Sequence, residues 1–259
     1  MWCNIDFAKD SANPLLYARN LYLNGELVTD LVVPSRVAEI KDYAFSGCSC
    51  LESITIGNGV TSIGRDAFTG CSSLESIIVH SGNAIYDSRN NSNAVVETAT
   101  NTLVVGCKNT VIPNNVTNIA NNAFAGCSSL ASITISNGVT NIGASAFDGC
   151  DALEKVEFNC NSIGAWFSGK SSIKEIVVGN GVTNIESLAF QDCLGLTCVS
   201  IGNGVVGIGN GAFLGCFKLK EVHITDLDVW NKVDFGGYSA NPLNYGGAKL
   251  YLNGVEVSE

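Results

Sequence analysis

Short segments in which apolar and polar residues alternate recur along this chain. In residues 51–56, LESITI, Ile54 and Ile56 fall on one face and Ser53 and Thr55 on the other, because successive side chains of a strand point to opposite faces. A Gly-Asn-Gly turn, a second apolar edge (VTSIG) and the segment RDAFTGC follow. The last segment is long enough for about one helical turn, which depends on packing for its stability. The pattern therefore predicts units made of a strand, a turn and a short helical turn.

These units repeat with a period of 23 residues. Residues 51–73, LESITIGNGVTSIGRDAFTGCSS, closely match residues 130–152, LASITISNGVTNIGASAFDGCDA. A repeat of fixed length between about 20 and 50 residues indicates a solenoid, in which each unit, or rung, buries its apolar face against its neighbours. The register is marked by a Phe followed three residues later by a Cys, in the pairs Phe45/Cys48, Phe68/Cys71, Phe124/Cys127, Phe147/Cys150, Phe190/Cys193 and Phe213/Cys216.

Nine rungs can be counted in this register, and we expect their strands to form one parallel sheet. A shortened copy, IGAWFSGKSSIKEIVV, has Lys170 at the Cys position, and its Trp166 is either a core residue or a surface anchor. The strands are predicted near Val28, Leu51, Leu74, Cys107, Leu130, Leu153, Ile173, Leu196 and Leu219.

The segment IGNGVTSIGRDAFTGCSSLESIIV and its copies resemble the BspA-like leucine-rich repeat family over nearly the whole chain. No Asn or Cys closes the strand as in the better-known leucine-rich signature, and the Cys instead lies three residues before the next Leu. The resemblance implies an α/β repeat fold, a right-handed leucine-rich-repeat solenoid of about nine 23-residue rungs with one parallel sheet and short helical or 3-10 turns. It also implies a bacterial or protist surface protein involved in adhesion to host matrix proteins and to other microbes.

Two features interrupt the repeat. Residues 80–113 contain two apolar runs around a polar turn, which predict a β-hairpin projecting from the solenoid; it either binds a ligand or re-phases the rungs. The N-terminal sequence WCNIDFAKDSANPL is echoed near the C-terminus by WNKVDFGGYSANPL, so we expect the chain to be one period of a longer array. The expected organisation is one solenoid, with a cap-like module, rungs, the hairpin, further rungs and a copy of the first module in residues 1–27, 28–79, 80–113, 114–225 and 226–259.

Charge narrows the choice of partners. The chain has 24 acidic and 14 basic residues, a net charge of −10 and a pI of about 4.6, which disfavours nucleic acids and anionic membranes as partners. No apolar run approaches the roughly 20 residues of a membrane span. The first residues, MWCNIDFAKD, lack the features of a signal peptide. The resemblance implies a location at the cell surface or in the secreted fraction, so we expect a monomer without membrane insertion whose export signal lies outside this chain.

The cysteines follow the repeat more closely than a disulfide or metal-binding pattern. Six of the 11 occupy the position three residues after the Phe, so we expect them to stack inside the solenoid as reduced, small apolar groups. No C-x-x-C motif occurs and a linear ladder cannot supply tetrahedral ligands, so a zinc site is not expected. The other five cysteines, Cys3, Cys50, Cys107, Cys160 and Cys198, lie outside this ladder. Of these, Cys198 is predicted to face outward from a strand.

The chain shows no catalytic set. Residues 202–207, GNGVVG, match the dinucleotide-binding pattern G-x-G-x-x-G, but in register they are the turn found in other rungs, with no full helix following. His80 and His223 have no recognisable partners for catalysis, and Asp226 with Asp228 reads more readily as a solvated turn than as a calcium site. The expectation is a protein that is not an enzyme, with no cofactor and no metal.

A partner is expected on the outward strand positions. In the first half of the chain these positions are mostly small and neutral, whereas the second half carries charge. The expected function is protein recognition or adhesion through the concave sheet; the alternatives are a structural spacer in a surface array, or a carbohydrate-binding module using Tyr86, Tyr238 or Tyr245. The candidate partner-binding residues are Lys155, Glu157, Glu175, Val177, Ser200, Glu221 and His223.

Overall fold

The computed structural model describes residues 2–258, which form short strands and a few single helical turns. The strands are β1 (Tyr22–Leu23), β2 (Glu26–Leu27), β3 (Asp30–Val33), β4 (Glu39–Ile40), β5 (Ser53–Ile56), β6 (Ser62–Ile63), β7 (Ser76–Val79), β8 (Tyr86–Asp87), β9 (Val95–Glu97), β10 (Thr102–Val105), β11 (Asn118–Ile119), β12 (Ser132–Ile135), β13 (Asn141–Ile142), β14 (Lys155–Phe158), β15 (Ser162–Ile163), β16 (Glu175–Val178), β17 (Asn184–Ile185), β18 (Cys198–Ile201), β19 (Gly207–Ile208), β20 (Glu221–Ile224), β21 (Asp234–Phe235), β22 (Lys249–Leu252) and β23 (Val255–Glu256). The α-helical turns are α1 (Leu15–Ala18) and α2 (Leu227–Trp230), and the 3-10 turns are Trp2–Asn4, Asp10–Ala12, Arg89–Asn91, Tyr238–Ala240 and Pro242–Asn244.

The fold is the predicted repeat solenoid, with mostly parallel sheets. In β14, Val156 and Phe158 are fully buried while Lys155 and Glu157 remain partly exposed, as the alternation predicts. The apolar face of each strand then stacks on the same face of the next rung. The chain divides into two compact units, one made of the residues up to Ala131 with Ile142–Ala152, the other of Ser132–Asn141 with the residues from Leu153 onward.

In the first unit the rung strands form a three-stranded parallel sheet in the order β3-β5-β7. The pairing is in register at a spacing of 23 residues, for example Ile54 with Ile77. Beside it, β4 and β6 pair in parallel along the second apolar edge of the rung. The insertion follows β7 in the sequence, so the ladder of rung strands in this unit ends where the repeat is interrupted.

The insertion is a hairpin, but it does not project from the fold. Strands β9 and β10 are antiparallel, as the two apolar runs predict. However, β10 also pairs in parallel with β11, and Val95, Val96 and Leu103 are at most 1% exposed. The expectation of a projecting hairpin is therefore wrong, because both apolar runs have residues in the core.

One partly buried ion pair fastens this hairpin. The carboxylate of Asp87 accepts hydrogen bonds from Nε (2.7 Å) and Nη2 (2.6 Å) of Arg89 and from Oγ1 of Thr98 (2.8 Å). Arg89 also donates from Nη1 to Oδ1 of Asn101 at 2.8 Å. Burial raises the pKa of Asp87, but the hydrogen bonds from Arg89 and Thr98 outweigh it and hold the pKa below its ordinary value.

The substitution Asp87→Asn is expected to lower the free energy of unfolding at neutral pH by about 1–3 kcal/mol, because it leaves the Arg89 guanidinium without its anion. Since the folded-state pKa of Asp87 is depressed, its contribution is fully present above the unfolded pKa of about 3.9 and is lost as the pH falls through the folded value. Denaturant unfolding at several pH values should thus show the difference between wild type and variant shrinking in acid. The exposed Asp151→Asn serves as control, and an equal loss in both variants would contradict the assignment.

In the second unit the rung strands form a seven-stranded sheet, in the order β12-β14-β16-β18-β20-β22-β23. All neighbours are parallel except β22 and β23, which form an antiparallel hairpin. A second, four-stranded parallel sheet, β15-β17-β19-β21, follows the other apolar edge of the rungs. The strands therefore lie in several sheets and not in the single parallel sheet that we expected.

The strands of the structure differ from the predicted ones in two places. No strand follows Cys107 in residues 108–112, because the chain turns there. Oγ1 of Thr110 accepts a hydrogen bond from the Cys107 backbone N–H (2.8 Å) and donates to the carbonyl of Asn93 (2.7 Å). The preceding segment instead supplies β10. At the other end, β22 lies in the terminal module and not among the predicted rungs, yet it pairs with β20 over four residues.

The repeated Phe and Cys residues stack in the core as predicted. The ring centroids of Phe190 and Phe213 lie 5.4 Å apart, and those of Phe45 and Phe68 lie at the same distance. Four of the six ladder cysteines also have a role beyond filling space, and Sγ of Cys216, for example, donates to the carbonyl oxygen of Phe190 at 3.2 Å. The same contact recurs with similar distances at Cys71, Cys150 and Cys193. A small apolar side chain with a weak donor therefore suits this position.

The terminal modules share local structure. Oδ1 of Asn13 accepts a hydrogen bond from the backbone N–H of Leu15, and Oδ1 of Asn241 accepts one from Leu243, both at 2.9 Å. Each module also contains a hairpin, β1 with β2 and β22 with β23. They differ in that β22 continues the sheet of rungs, whereas β1 pairs only with β2 within residues 2–258.

Candidate functional site

The predicted partner-binding residues lie on one face of the seven-stranded sheet. They are partly exposed, whereas the alternate residues of the same strands, such as Val156, Ile176 and Val222, are fully buried. The face, which we call the β12–β22 outer face, contains two rows of residues paired in register. One row is Ser132, Lys155, Glu175, Cys198, Glu221 and Lys249, and the other is Thr134, Glu157, Val177, Ser200, His223 and Tyr251.

Charges on this face are arranged as pairs. Nζ of Lys155 lies 2.6 Å from Oε1 of Glu175 on the next strand, and this hydrogen bond raises the pKa of Lys155. Glu157 accepts a hydrogen bond from Nδ2 of Asn159 at 3.0 Å. Cross-strand pairs of opposite charge stabilise a sheet modestly, and here they also fix the position of the charges that a partner would meet.

Three side chains that could each supply a metal ligand lie close together on strands β18 and β20 of this face. Nε2 of His223 and Oε2 of Glu221 lie 2.9 Å apart, although the two residues are on the same strand. Cys198, on β18, lies opposite Glu221 of β20. One potential ligand atom from each of the three side chains lies within 4.8 Å of the others. Burial, with the adjacent Glu221 and Glu175 carboxylates, raises the pKa of the Cys198 thiol, and Lys155 opposes that change.

Lys249 and Tyr251 belong to this face and were missed in the sequence. The ring of Tyr251 stacks on that of His223, with centroids 4.9 Å apart and planes 20° apart, while Nζ of Lys249 lies 2.7 Å from Oε1 of Glu256. The signal was present, because the segment AKLYLNG alternates like a rung strand. Its similarity to the N-terminal module led us to place it outside the rungs.

The outward positions of the first unit have another character. Val32 and Ile78 are 67% and 53% exposed, flanked by polar Asp30, Ser53 and Thr55. Oγ of Ser53 donates to Oδ1 of Asp30 at 2.5 Å, and this bond, with a second from Thr29, lowers the pKa of Asp30. Asn109 and Val111 do not continue this row, because neither lies in a strand.

Other candidates receive structural roles. Tyr86 and Tyr245, candidates for the alternative of a carbohydrate-binding module, are at most 9% exposed. The Tyr86 hydroxyl accepts a hydrogen bond from the backbone N–H of Ile63. Tyr238 is 79% exposed. Asp226 caps helix α2, because its Oδ1 accepts from the backbone N–H groups of Asp228 and Val229. No helix among the described residues is long and apolar enough to cross a membrane.

The stacked rungs and their outward rows define a leucine-rich-repeat type of solenoid. The sequence matches the family described as BspA type leucine rich repeat region, in six copies, over residues 18–94 and 104–220. The chain therefore belongs to this family. A comparison with curated proteins gave no match.

Solved structures show the same fold. A leucine rich cell surface protein from Faecalibacterium prausnitzii is 30% identical, with a TM-score of 0.51, over 78% of this chain and 55% of its own. The pneumococcal vaccine antigen PcpA (20% identity, TM-score 0.51) matches over 87% of this chain and 62% of its own. A leucine-rich repeat protein from Bacteroides ovatus (23%, 0.50) matches over 89% and 67%. The chain thus spans little more than half the length of the Faecalibacterium protein.

Proposed function

We propose that this chain is a non-enzymatic protein-recognition and adhesion module of a cell-surface or secreted protein, and that it binds a protein partner through the β12–β22 outer face. The observation that carries the proposal is the in-register display of charged and polar residues on six adjacent parallel strands. Burial of the alternate side chains satisfies the needs of the core, so the outward residues are available for a partner.

The arrangement of charge favours recognition over a passive surface. Within the face, the Lys155–Glu175 pair lies next to Glu157, and Glu221 lies next to Lys249 across the strand pairing. Alternating charges in fixed positions favour a partner with complementary charges and disfavour others. The cell-surface description of the Faecalibacterium relative supports the proposed location.

The proposal is tested by measuring binding of the purified chain to an array of extracellular-matrix and plasma proteins, followed by affinity measurements on each protein bound. The test variant replaces Lys155, Glu157, Glu175 and Glu221 with Ser. We expect saturable binding by the wild type and at least a tenfold loss by the variant, since about 1.4 kcal/mol corresponds to a tenfold change in affinity.

A matched control replaces Glu154, Lys174, Glu186 and Asp151 with Ser, which also removes one basic and three acidic residues, all outside the strands. A second variant exchanges the charges of one pair, Lys155→Glu with Glu175→Lys, and preserves the ion pair while reversing its direction. Loss of binding in both outer-face variants but not in the control supports the proposal. Equal binding by all variants would place the site elsewhere. Binding to no protein would favour a spacer, and binding on a parallel glycan array would favour a carbohydrate module.

A further inference from the structure

We propose that Cys198, Glu221 and His223 form a zinc-binding site on the β12–β22 outer face. These residues form the one group of three or more potential metal ligands that converges within residues 2–258. The inference goes beyond the proposed recognition of a protein partner and does not rest on it. The earlier expectation of no metal considered the buried ladder of cysteines, which Cys198 does not join.

The backbone places the three donors on one face. Glu221 and His223 are two residues apart on β20 and therefore point to the same side of the sheet. Cys198 lies opposite Glu221 on the neighbouring strand, and Ser200 lies opposite His223. Neighbouring strands are about 4.8 Å apart, so a sulfur on β18 and donors on β20 are within reach of one ion.

The distances need only a small adjustment. The three ligand atoms lie within 4.8 Å of one another, whereas bond lengths of about 2.3 Å for Zn–S and 2.0–2.1 Å for Zn–N and Zn–O imply ligand separations of about 3.5 Å in a tetrahedron. The side chains of Cys198 and Glu221 are at least partly exposed and can change rotamer, whereas the His223 ring is stacked on Tyr251. A closure of about 1 Å can therefore come from side-chain rotation without movement of the strands.

The donor set favours zinc over harder cations. A thiolate, an imidazole and a carboxylate are each established zinc ligands, and a thiolate disfavours calcium and magnesium, which prefer oxygen. Three protein ligands leave a fourth position for water or a donor from another molecule. The stacked ring of Tyr251 limits rotation of the His223 imidazole and keeps it over the sheet, which is how supporting contacts orient metal ligands.

The surroundings distinguish this thiol from the others. The ladder thiols are buried, and Cys71, Cys150, Cys193 and Cys216 donate to backbone carbonyls. Besides Cys198, the partly exposed thiol among the described residues is Cys50, whose Sγ lies 3.5 Å from that of Cys48. The carboxylate of Glu221 provides negative potential beside Cys198, whereas the carboxylate of Glu175, on the other neighbouring strand, is paired with Lys155.

The test is zinc titration by calorimetry of the full chain, kept reduced by a reductant that does not bind zinc. We expect one zinc ion per chain, with binding weakened at least about 100-fold in Cys198→Ser and His223→Gln, because loss of outer supporting contacts alone costs about 10–100-fold. Cobalt(II) is the spectroscopic probe. It should give a near-ultraviolet thiolate-to-cobalt charge-transfer band in the wild type, and this band should be absent in Cys198→Ser.

The matched control is Cys50→Ser, which removes the other partly exposed thiol and should leave zinc binding and the cobalt band unchanged. Circular dichroism and thermal unfolding establish that each variant is folded, which is expected because the substituted residues lie at the surface. Absence of zinc binding by the wild type would overturn the proposal. So would undiminished binding by Cys198→Ser, or a thiolate band that disappears with Cys50 instead.

Discussion

Replacement of Phe190 with Ala is expected to lower the free energy of unfolding by about 3–5 kcal/mol. The ring is fully buried and lies 5.4 Å from that of Phe213 and 5.7 Å from that of Phe158, measured between centroids. Its removal leaves a cavity between rungs that cannot close, because each strand is held in register by its neighbours. In a solenoid each rung contacts only the adjacent ones, so the loss falls on two interfaces at once.

Denaturant unfolding followed by circular dichroism measures this change. Phe217→Ala is the control, because Phe217 is 68% exposed and its nearest aromatic ring, that of Tyr245, is 6.4 Å away. We expect the control to change the free energy of unfolding by about 0.5 kcal/mol or less, as is usual for surface positions. A similar loss in both variants would show that the Phe ladder does not hold the rungs together.

The fold could be predicted because the repeat carries its own register. Cys198 and Glu221 are 23 residues apart in the sequence and are neighbours in the sheet, so counting along the chain places side chains in space. The alternation of apolar and polar residues then determines which face each one takes. Where the period is unbroken, the sequence therefore predicted which strands are neighbours and which side chains are buried.

The predicted strand position was wrong where the insertion interrupts the period. Near Cys107 the sequence resembles the start of a strand, but Thr110 forms a turn with Cys107 and Asn93, and the insertion provides antiparallel pairing for β10. Such contacts between a loop and a distant backbone group have no counterpart in other repeats. They therefore could not be found by comparing one rung with the next.

The candidate sites depend on details finer than the register. Placement of Lys155, Glu175 and Glu221 on one face follows from spacing, whereas the Lys155–Glu175 ion pair and the convergence of Cys198 with His223 depend on side-chain rotamers. The sequence predicted an outward Cys198 but did not show that its sulfur approaches two other donors.

The second large effect concerns the Gly-Asn-Gly turn at residues 202–204. We expect Gly204→Ala to lower the free energy of unfolding by about 3 kcal/mol. A Cβ atom at Gly204 would lie 2.1 Å from the carbonyl oxygen of Asn180 and 2.8 Å from that of Val182, both in the preceding rung. Neither contact can be relieved by a side-chain rotation, because both involve backbone. The close approach of this turn to the one before it thus requires glycine at Gly204, and also at Gly202, whose Cβ would lie 2.7 Å from the carbonyl group of Gly179. This explains the G-x-G pattern of residues 202–204 without a nucleotide.

Gly181 provides the matched control because it occupies the same position of the turn one rung earlier, and neither glycine has a positive φ. The rung below Gly181 is shortened, with Lys155 and Glu175 only 20 residues apart, and a Cβ atom there would meet nothing nearer than the Asn159 carbonyl oxygen at 3.4 Å. Gly181→Ala should therefore be neutral or stabilising by about 0.4–1 kcal/mol, since alanine restricts the unfolded chain. Thermal and denaturant unfolding of the two variants side by side make the comparison. Equal losses would mean that the turn needs glycine for its backbone conformation, whereas a loss confined to Gly204→Ala would show that the spacing between rungs makes the glycine necessary.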